Sequence, residues 1–425
     1  MDTISIIALI VFGIGYFLIT LEHKLNTNKA AIGLALGAIL WIITSLTAHN
    51  SEEVVHAIHE AGAEIFSIVA FLLAAMTLVE ILVHYRFFDI IRTKLASYKL
   101  KDKKQFVIVG ILTFFLSAIL DNLTITIVMT QIARQFFKGK NLLVVVAGIV
   151  ILANAGGAWS PIGDVTTIML WLADKFTAAD IIIHTFIPAA VIGVVSGALL
   201  LRQVRNTSED RLVDKKIELT KSEKIIIGMS LTSFSFPIFM NLMELPPYLG
   251  LLFGLGLVWG AIEFLKRKAT QQTHLTANID TLLQKTDISS LNFFIGILLA
   301  VSALSALGIL GNLSTMLFGP EQDPMRVALG SVVLGLMSAI VDNVPLTAIA
   351  IDLITLTDSY IWTLLALTVG TGGSALVIGS AAGVVAMGMV KELNFVRYLK
   401  IATIPALAGF FAGVSVYGIM YYFFH

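Results

Sequence analysis

The sequence predicts an all-α polytopic membrane protein built from two inverted-topology repeats, each with a re-entrant hairpin and a broken transmembrane helix. Three observations support this fold class. Of the 425 residues, 57% are hydrophobic and 13% are charged, whereas soluble domains carry about 25% charged residues. The apolar runs have the length of membrane-spanning helices and show no polar alternation, which disfavours a barrel. Two short motifs of the first half of the chain recur, in the same order, in the second half.

Eight apolar runs are long enough to cross the hydrocarbon core as single helices. These predicted spans are residues 4–21, 29–47, 63–83, 180–201, 223–243, 247–265, 291–311 and 398–422. Residues 105–138 and 326–357 each contain a central polar break and are too long for one span but too short for two, which predicts re-entrant hairpins. Residues 142–174 and 360–391 are interrupted by glycine-rich patches, which predicts single crossings whose helix is broken in mid-membrane.

The basic residues predict the orientation of these spans. With both termini on one side, every Lys and Arg except Lys175 and Arg326 falls on the opposite face. The positive-inside rule makes that face cytoplasmic, so both termini are expected outside. An alternative stays open: exchanging the roles of 105–138 and 142–174 moves only the three basic residues between 134 and 140 to the outside.

Two motifs reveal an internal repeat. The sequence SAILDN at 117–122 matches SAIVDN at 338–343 in five of six positions, at an offset of 221. The sequence GGAWSPIG at 156–163 matches GGSALVIG at 372–379 in four of eight positions, at an offset of 216. Both matches fall at a predicted polar or glycine-rich break, so the breaks themselves are repeated.

The repeat divides the chain into residues 1–201 and 223–425, joined by a cytoplasmic linker at 202–222. Each half is predicted to cross the membrane five times, and because five is odd the second half must be inserted upside down. Inverted repeats with broken helices at matching positions are typical of secondary transporters, whose site lies near the midplane at the repeat interface.

Acidic side chains at the breaks are the candidate site residues. A charged group in mid-membrane costs about 3 kcal/mol, so it normally faces a cavity and has a function. The alternative is that these acids only cap the helices that follow them. The cation- or proton-binding candidates are Asp121, Asn122, Thr124, Asn154, Asp164, Thr166, Thr167, Asp342 and Asn343. We place Na⁺ hypothetically at Asp121, Asn122 and Asp164.

The two repeats differ in their acids. The first has Asp121 and Asp164, whereas the second has only Asp342, so the main site is expected in the first repeat, with Asp342 as a second site or a proton carrier. The secondary candidates are Ser117, Thr126, Ser160, Ser338, Thr347, Ser374, Ser380 and Glu64. Neither hairpin tip contains Lys or Arg, which argues against an anion as the main cargo.

These motifs resemble the ion transporter superfamily, which includes arsenite pumps and sodium-coupled dicarboxylate carriers. Within it, the Asp-Asn tips and the stretch GGAWSPIGDVTT resemble the NhaD-type bacterial sodium/proton antiporters. The resemblance implies export of Na⁺ and Li⁺ driven by inward H⁺ flow, and hence a role in pH and Na⁺ homeostasis. It also implies location in the bacterial inner membrane, a homodimer, and a domain that moves like an elevator.

Two other functions stay open. A sodium-coupled transporter of carboxylates or other anions, from the same superfamily, would use the same fold. An intramembrane aspartyl protease also needs two buried acids, but its usual Gly-x-Gly-Asp motif does not occur before Asp164. We expect a transporter that is not an enzyme and that needs no cofactor. With a net charge of zero and no cysteine, nothing indicates nucleic-acid binding or cysteine-ligated metals.

Overall fold

A computed structural model describes residues 3–20, 27–47, 51–98, 100–206, 219–268 and 279–424. Within these ranges the secondary structure is helical and no β-strand is present. The first ten helices are α1 (Thr3–Thr20), α2 (Lys29–Thr47), α3 (Ser51–His84), α4 (Phe87–Ser97), α5 (Asp102–Ser117), α6 (Asn122–Phe136), α7 (Gly139–Gly157), α8 (Val165–Leu172), α9 (Ala178–Leu201) and α10 (Lys221–Ser233). The others are α11 (Phe236–Leu242), α12 (Pro247–Lys268), α13 (Ile279–Leu283), α14 (Ile288–Ala306), α15 (Ile309–Phe318), α16 (Pro324–Met337), α17 (Asn343–Leu353), α18 (Ser359–Gly372), α19 (Ala381–Met389) and α20 (Phe395–Phe424).

Eight stretches of these helices are long and apolar enough to span a membrane, which confirms an all-helical integral membrane protein. Seven of them coincide with predicted spans: α2, α3, α9, the pair α10 and α11, α12, α14 and α20. The eighth is α7, the first part of the predicted broken helix 142–174. The predicted span 4–21 corresponds to α1, whose apolar part Ile4–Ile19 is shorter.

Two predicted spans are interrupted in the structure. The predicted span 223–243 is divided at Phe234 and Ser235 into α10 and α11. The predicted span 291–311 ends early, because the chain turns at Gly308, where φ is 68°. Glycine adopts this left-handed backbone without steric cost, so an apolar run alone does not reveal the turn. Residue 21 and residues 207–218, most of the predicted linker, lie outside the described residues.

Helices flank all four predicted polar breaks. In the two predicted hairpins, α5 is separated from α6 and α16 from α17 by four or five non-helical residues. In the two predicted broken helices, α7 is followed by α8, and α18 by two short 3₁₀ turns and α19. Most of the acids and amides predicted at the breaks therefore lie at the starts of helices, whereas Asn154 lies near the end of α7.

The chain forms two compact units, and each of them draws segments from both predicted repeats. The first unit consists of Met1–Tyr85, Leu219–Asp323 and Ala348–Thr355. The second unit consists of Arg86–Glu218, Pro324–Thr347 and Leu356–His425. All four predicted breaks belong to the second unit.

In the first unit, α2 and α14 pack through glycine. A Cβ atom added at Gly37 would lie 2.7 Å from the backbone oxygen of Gly296, so the two helix backbones touch at this point. Small residues allow such close approach between membrane helices, where van der Waals packing is the main source of association. The Lys29 ammonium lies 4.5 Å from the centre of the Phe293 ring at one end of this pair.

In the second unit, α7 and α18 form the centre. Every residue of 144–157 and of 361–372 is buried, as expected for helices that are apolar on all sides. Around them, α9 packs closely on α20: the Ser196 hydroxyl donates to the Pro405 carbonyl at 2.9 Å. Because both central helices end at glycine-rich breaks, the breaks lie inside this unit.

Candidate ion-binding site

The ends of the two central helices are held by equivalent hydrogen bonds. The Ser117 hydroxyl donates to the Ala153 carbonyl at 2.7 Å, and the Ser338 hydroxyl donates to the Val369 carbonyl at 2.8 Å. These four residues are related by the sequence offsets 221 and 216. In both halves, a serine at the end of the first arm of a predicted hairpin thus binds a carbonyl near the end of a central helix.

The glycines of the two breaks also make equivalent contacts. A Cβ atom at Gly157 would lie 2.5 Å from the Gly163 carbonyl oxygen, and one at Gly373 would lie 2.5 Å from the Gly379 oxygen. A side chain at either position would overlap with the backbone, so only glycine lets the chain fold back here. The repeat seen in the sequence is therefore also a repeat of backbone contacts.

At the first tip, Asp121 is the N-cap residue of α6. One carboxylate oxygen accepts the Thr124 backbone N–H at 2.9 Å, and the other accepts the Thr124 hydroxyl at 2.5 Å. Asp121 therefore caps α6, whether or not it also binds an ion. Asp121 is also partly exposed, which leaves its outer face accessible to an ion.

The next residue, Asn122, connects the first tip to the second break. Its side-chain N–H₂ donates to the Asn154 Oδ1 at 3.0 Å. The Asn154 N–H₂ in turn donates to the hydroxyls of Ser374 at 2.9 Å and Ser380 at 3.2 Å. Asn154 is fully buried, and both of its polar groups have partners. One chain of hydrogen bonds thus connects the first hairpin tip, the first predicted broken helix and the second break.

Asp164 is the N-cap residue of α8 and is 1% exposed. Its two carboxylate oxygens accept the side-chain amide of Asn343 at 3.4 and 3.3 Å. Its backbone carbonyl accepts the Thr167 hydroxyl at 2.8 Å. The carboxylate of Asp342 is near enough to interact with it electrostatically. The acid of the first break therefore meets the tip of the second predicted hairpin.

Three buried threonine hydroxyls of the second unit have no hydrogen-bond partner of normal geometry in the described part of the chain. They belong to Thr166, which follows Asp164, and to Thr126 and Thr130 on α6. Buried hydroxyls are normally paired, so an exception needs an explanation such as an ion or a water molecule. Thr130 was not among the residues predicted from sequence, although its spacing of four from Thr126 places both on one helix face.

The remaining predicted residues have local roles. Asp342 accepts the Val344 backbone N–H at 3.4 Å, and the Thr347 hydroxyl donates to the Asn343 carbonyl at 2.9 Å. The Ser160 hydroxyl accepts the Ile162 backbone N–H at 3.4 Å. Glu64 is an exposed residue of α3 in the first unit, whereas the other candidates all belong to the second.

The sequence around the tips and breaks contains no Lys or Arg, so the polar groups here are carboxylate, amide, hydroxyl and carbonyl groups. Oxygen ligands of this kind suit hard cations. In the described ranges, no three His, Cys, Asp or Glu side chains are grouped to hold a metal ion. A cation bound at Asp164 would therefore use amide, hydroxyl and carbonyl oxygens as its other ligands.

Apolar spans, helix breaks deep in a compact unit and the buried Asp164 carboxylate at one of those breaks indicate a membrane transporter. The chain belongs to the citrate transporter family, whose model matches residues 7–370. This membership confirms the prediction of a transporter and removes the protease alternative.

Individual relatives are named as sodium/proton antiporters. The chain is 39% identical over 417 residues to sodium/proton antiporter 1 of Arabidopsis thaliana, covering 96% of this chain and 71% of that one. It is 30% identical over 441 residues to the Na⁺/H⁺ antiporter NhaD of Halomonas elongata, covering 97% and 87%. It is 28% identical over 442 residues to NhaD of Alkalimonas amylolytica, covering 97% and 90%. The predicted resemblance to the NhaD-type antiporters is confirmed.

Proposed function

We propose that this protein exchanges cytoplasmic Na⁺, and also Li⁺, for external H⁺. The observation that carries the proposal is the buried Asp164 carboxylate, which faces amide and hydroxyl groups and has no basic residue in the surrounding breaks. A buried carboxylate can be neutralised by a proton or by a bound cation, and a cation needs the oxygen ligands found here. The names of the NhaD relatives support Na⁺ and H⁺ as the transported ions.

The proposed mechanism is direct competition at the carboxylates. Outside, protons displace Na⁺ from the site; inside, Na⁺ displaces the protons. Because the same groups hold both ions, transport is an obligatory exchange and depends steeply on pH. No cofactor takes part in it.

The contacts suggest two positions for the ions. At the first, Asp164 would bind the cation together with Thr166 and the Asn343 side chain, with Asp342 close by. At the second, Asp121 at the first tip would bind a cation or carry a proton, while the Asn122 amide is bonded to Asn154. This arrangement assigns the partners of Asp164 to the second tip, whereas the sequence suggested the first.

We further propose that residues 1–201 and 223–425 are inverted repeats with re-entrant hairpins and that both termini face outside. The equivalent serine and glycine contacts at the two breaks support the repeat. On the resemblance to the NhaD-type antiporters, we also propose a bacterial inner-membrane homodimer in which one domain moves like an elevator.

Everted membrane vesicles from cells that lack their own Na⁺/H⁺ antiporters test the function. Addition of Na⁺ or Li⁺ is expected to collapse a preformed pH gradient when the protein is present. The variant Asp164→Asn keeps the shape of the side chain but removes its charge, and should abolish the response. Asp174→Asn is the matched control, because Asp174 is exposed at the end of the same predicted broken helix. Undiminished collapse in Asp164→Asn would reject the proposed role of the carboxylate.

The second candidate function is sodium-coupled transport of a carboxylate such as citrate, and the description of the matching family favours it. The absence of Lys and Arg at the breaks argues against it, although helix N-termini alone can hold carboxylates. Uptake of labelled citrate into right-side-out vesicles under a Na⁺ gradient separates the two. Sodium-dependent citrate uptake without Na⁺/H⁺ exchange would establish the alternative.

A further inference from the structure

The repeat makes two pockets equivalent in position but not in residues. Each pocket is formed by the N-cap residue of the helix after a break, the asparagine of a hairpin tip and one residue of a central helix. In the first pocket these are Asp164, Asn343 and Gly370. In the second they are Ser380, Asn122 and Asn154, related to the first set by the offsets 216 and 221.

In the first pocket, two oxygen atoms converge beside Gly370. A Cβ atom at position 370 would lie 3.1 Å from the Asp164 Oδ2 and 3.5 Å from the Thr166 Oγ1. Thr166 is completely buried, and its hydroxyl lies close enough to interact with the Asp164 carboxylate. A side chain at position 370 would therefore press on this carboxylate and hydroxyl, with the Ala158 Cβ at 3.6 Å as its third neighbour.

In the second pocket, the corresponding space is filled by protein. The Asn154 side chain extends between the Asn122 amide and the Ser380 hydroxyl and binds both, at 3.0 and 3.2 Å. In the first pocket, by contrast, Asn343 reaches Asp164 directly. An amide thus stands in the second pocket where the first has only the hydrogen atom of a glycine.

We infer that Gly370 determines which cation fits at Asp164, and that Asn154 closes the equivalent pocket so that it binds no cation. This inference rests on the proposed function, because it assumes that a monovalent cation binds at Asp164. It assigns Asn154 a structural role, as a substitute for a bound ion, in place of the ligand role predicted from sequence. The serine at 380 is consistent with a pocket that holds a neutral amide and not a cation.

Two substitutions at position 370 test the inference. Gly370→Ala adds a methyl group against Asp164 and Thr166, and we expect it to raise the apparent KM for Na⁺ about tenfold and that for the smaller Li⁺ less. Gly370→Asn copies the second pocket and should abolish Na⁺-dependent exchange. The matched control is Gly388→Ala on α19, where no atom lies within 4 Å of the added carbon. Alanine favours helix over glycine by about 1 kcal/mol, so Gly370→Ala is expected to fold.

A binding measurement keeps this inference separate from the proposed function. Purified protein is titrated calorimetrically with NaCl and with LiCl at constant ionic strength, with choline as the replacing cation. If the wild type binds Na⁺ and Gly370→Ala binds it about tenfold more weakly, the inference stands even when vesicles show no exchange. Equal Na⁺ affinity and an equal Na⁺/Li⁺ ratio in Gly370→Ala and the wild type would overturn the inference and leave Na⁺/H⁺ exchange unaffected. Absence of Na⁺ binding to the wild type would reject both.

Discussion

The side-chain amide of Asn343 donates to both carboxylate oxygens of Asp164, at 3.4 and 3.3 Å. These residues lie 179 positions apart in the chain and belong to different predicted repeats. The contact joins the tip of the second predicted hairpin to the break of the first predicted broken helix. A change of charge at Asp164 would therefore act directly on a hairpin tip, which is what coupling of ion binding to movement requires.

Loss of this contact should weaken Na⁺ binding. Asn343→Ala removes the donor that stabilises the Asp164 carboxylate, and a hydrogen bond of this length is worth about 1 kcal/mol. We expect the apparent Na⁺ affinity in everted vesicles to fall roughly fivefold. Asn312→Ala, an exposed position on α15, is the control and should behave as wild type. An unchanged Na⁺ affinity in Asn343→Ala would show that the contact plays no part in binding.

The cap and the charge of Asp121 can be separated by two substitutions. Serine is as good an N-cap residue as aspartate, whereas alanine at such a position costs about 1 kcal/mol. Asp121→Ser should therefore keep the thermal stability of the protein, and Asp121→Ala should lower it. Both variants should lose Na⁺/H⁺ exchange if the Asp121 carboxylate binds the cation or the proton. Wild-type exchange by Asp121→Ser would mean that Asp121 serves only as a cap.

Substitution of the break glycines should destabilise the protein equally in the two halves. In Gly157→Ala and Gly373→Ala, the new carbon would lie 2.5 Å from a carbonyl oxygen, and overpacking of this kind costs about 3 kcal/mol. We expect a lower melting temperature in detergent for both variants, with Gly388→Ala unchanged. A lower melting temperature in only one of the two variants would contradict the equivalence of the two breaks.

The predicted orientation can be measured by labelling, because the chain has no cysteine of its own. Single cysteines at three exposed positions, Ser97, Lys140 and Thr357, are treated with a membrane-impermeant maleimide in intact cells. Only Thr357→Cys is expected to react, since the other two positions belong to the basic face. Labelling of both Ser97→Cys and Lys140→Cys, but not of Thr357→Cys, would show that the orientation is the reverse of the predicted one. Labelling of Lys140→Cys together with Thr357→Cys would show that 105–138 and 142–174 exchange their predicted roles.

Much of the candidate site could be predicted from residue type and repetition. Acids such as Asp121 and Asp164 are conspicuous in an apolar chain, and the recurring Asp-Asn tips indicate where helices are interrupted. The partners of these acids could not be predicted. Na⁺ at Asp121, Asn122 and Asp164 stays a prediction. The contact of Asp164 with Asn343, 179 positions away in the chain, could not be foreseen from the sequence. Gly370 was missed, since a glycine in an apolar helix gives no chemical signal until its surroundings are known.

The membrane location and the four polar or glycine-rich breaks could be predicted from the sequence, but the interruptions at Phe234 and Gly308 could not. The predicted features follow from local physics: lipid excludes unpaired backbone groups, so apolar runs become helices, and Gly, Pro and Asp interrupt them. Which break lies against which tip is a property of the folded chain. That pairing depends on contacts between helices distant in the chain, such as the close approach at Gly157 and Gly373. In the folded chain Gly370 lies beside Asp164, whereas Asn154 lies at the equivalent position between Asn122 and Ser380.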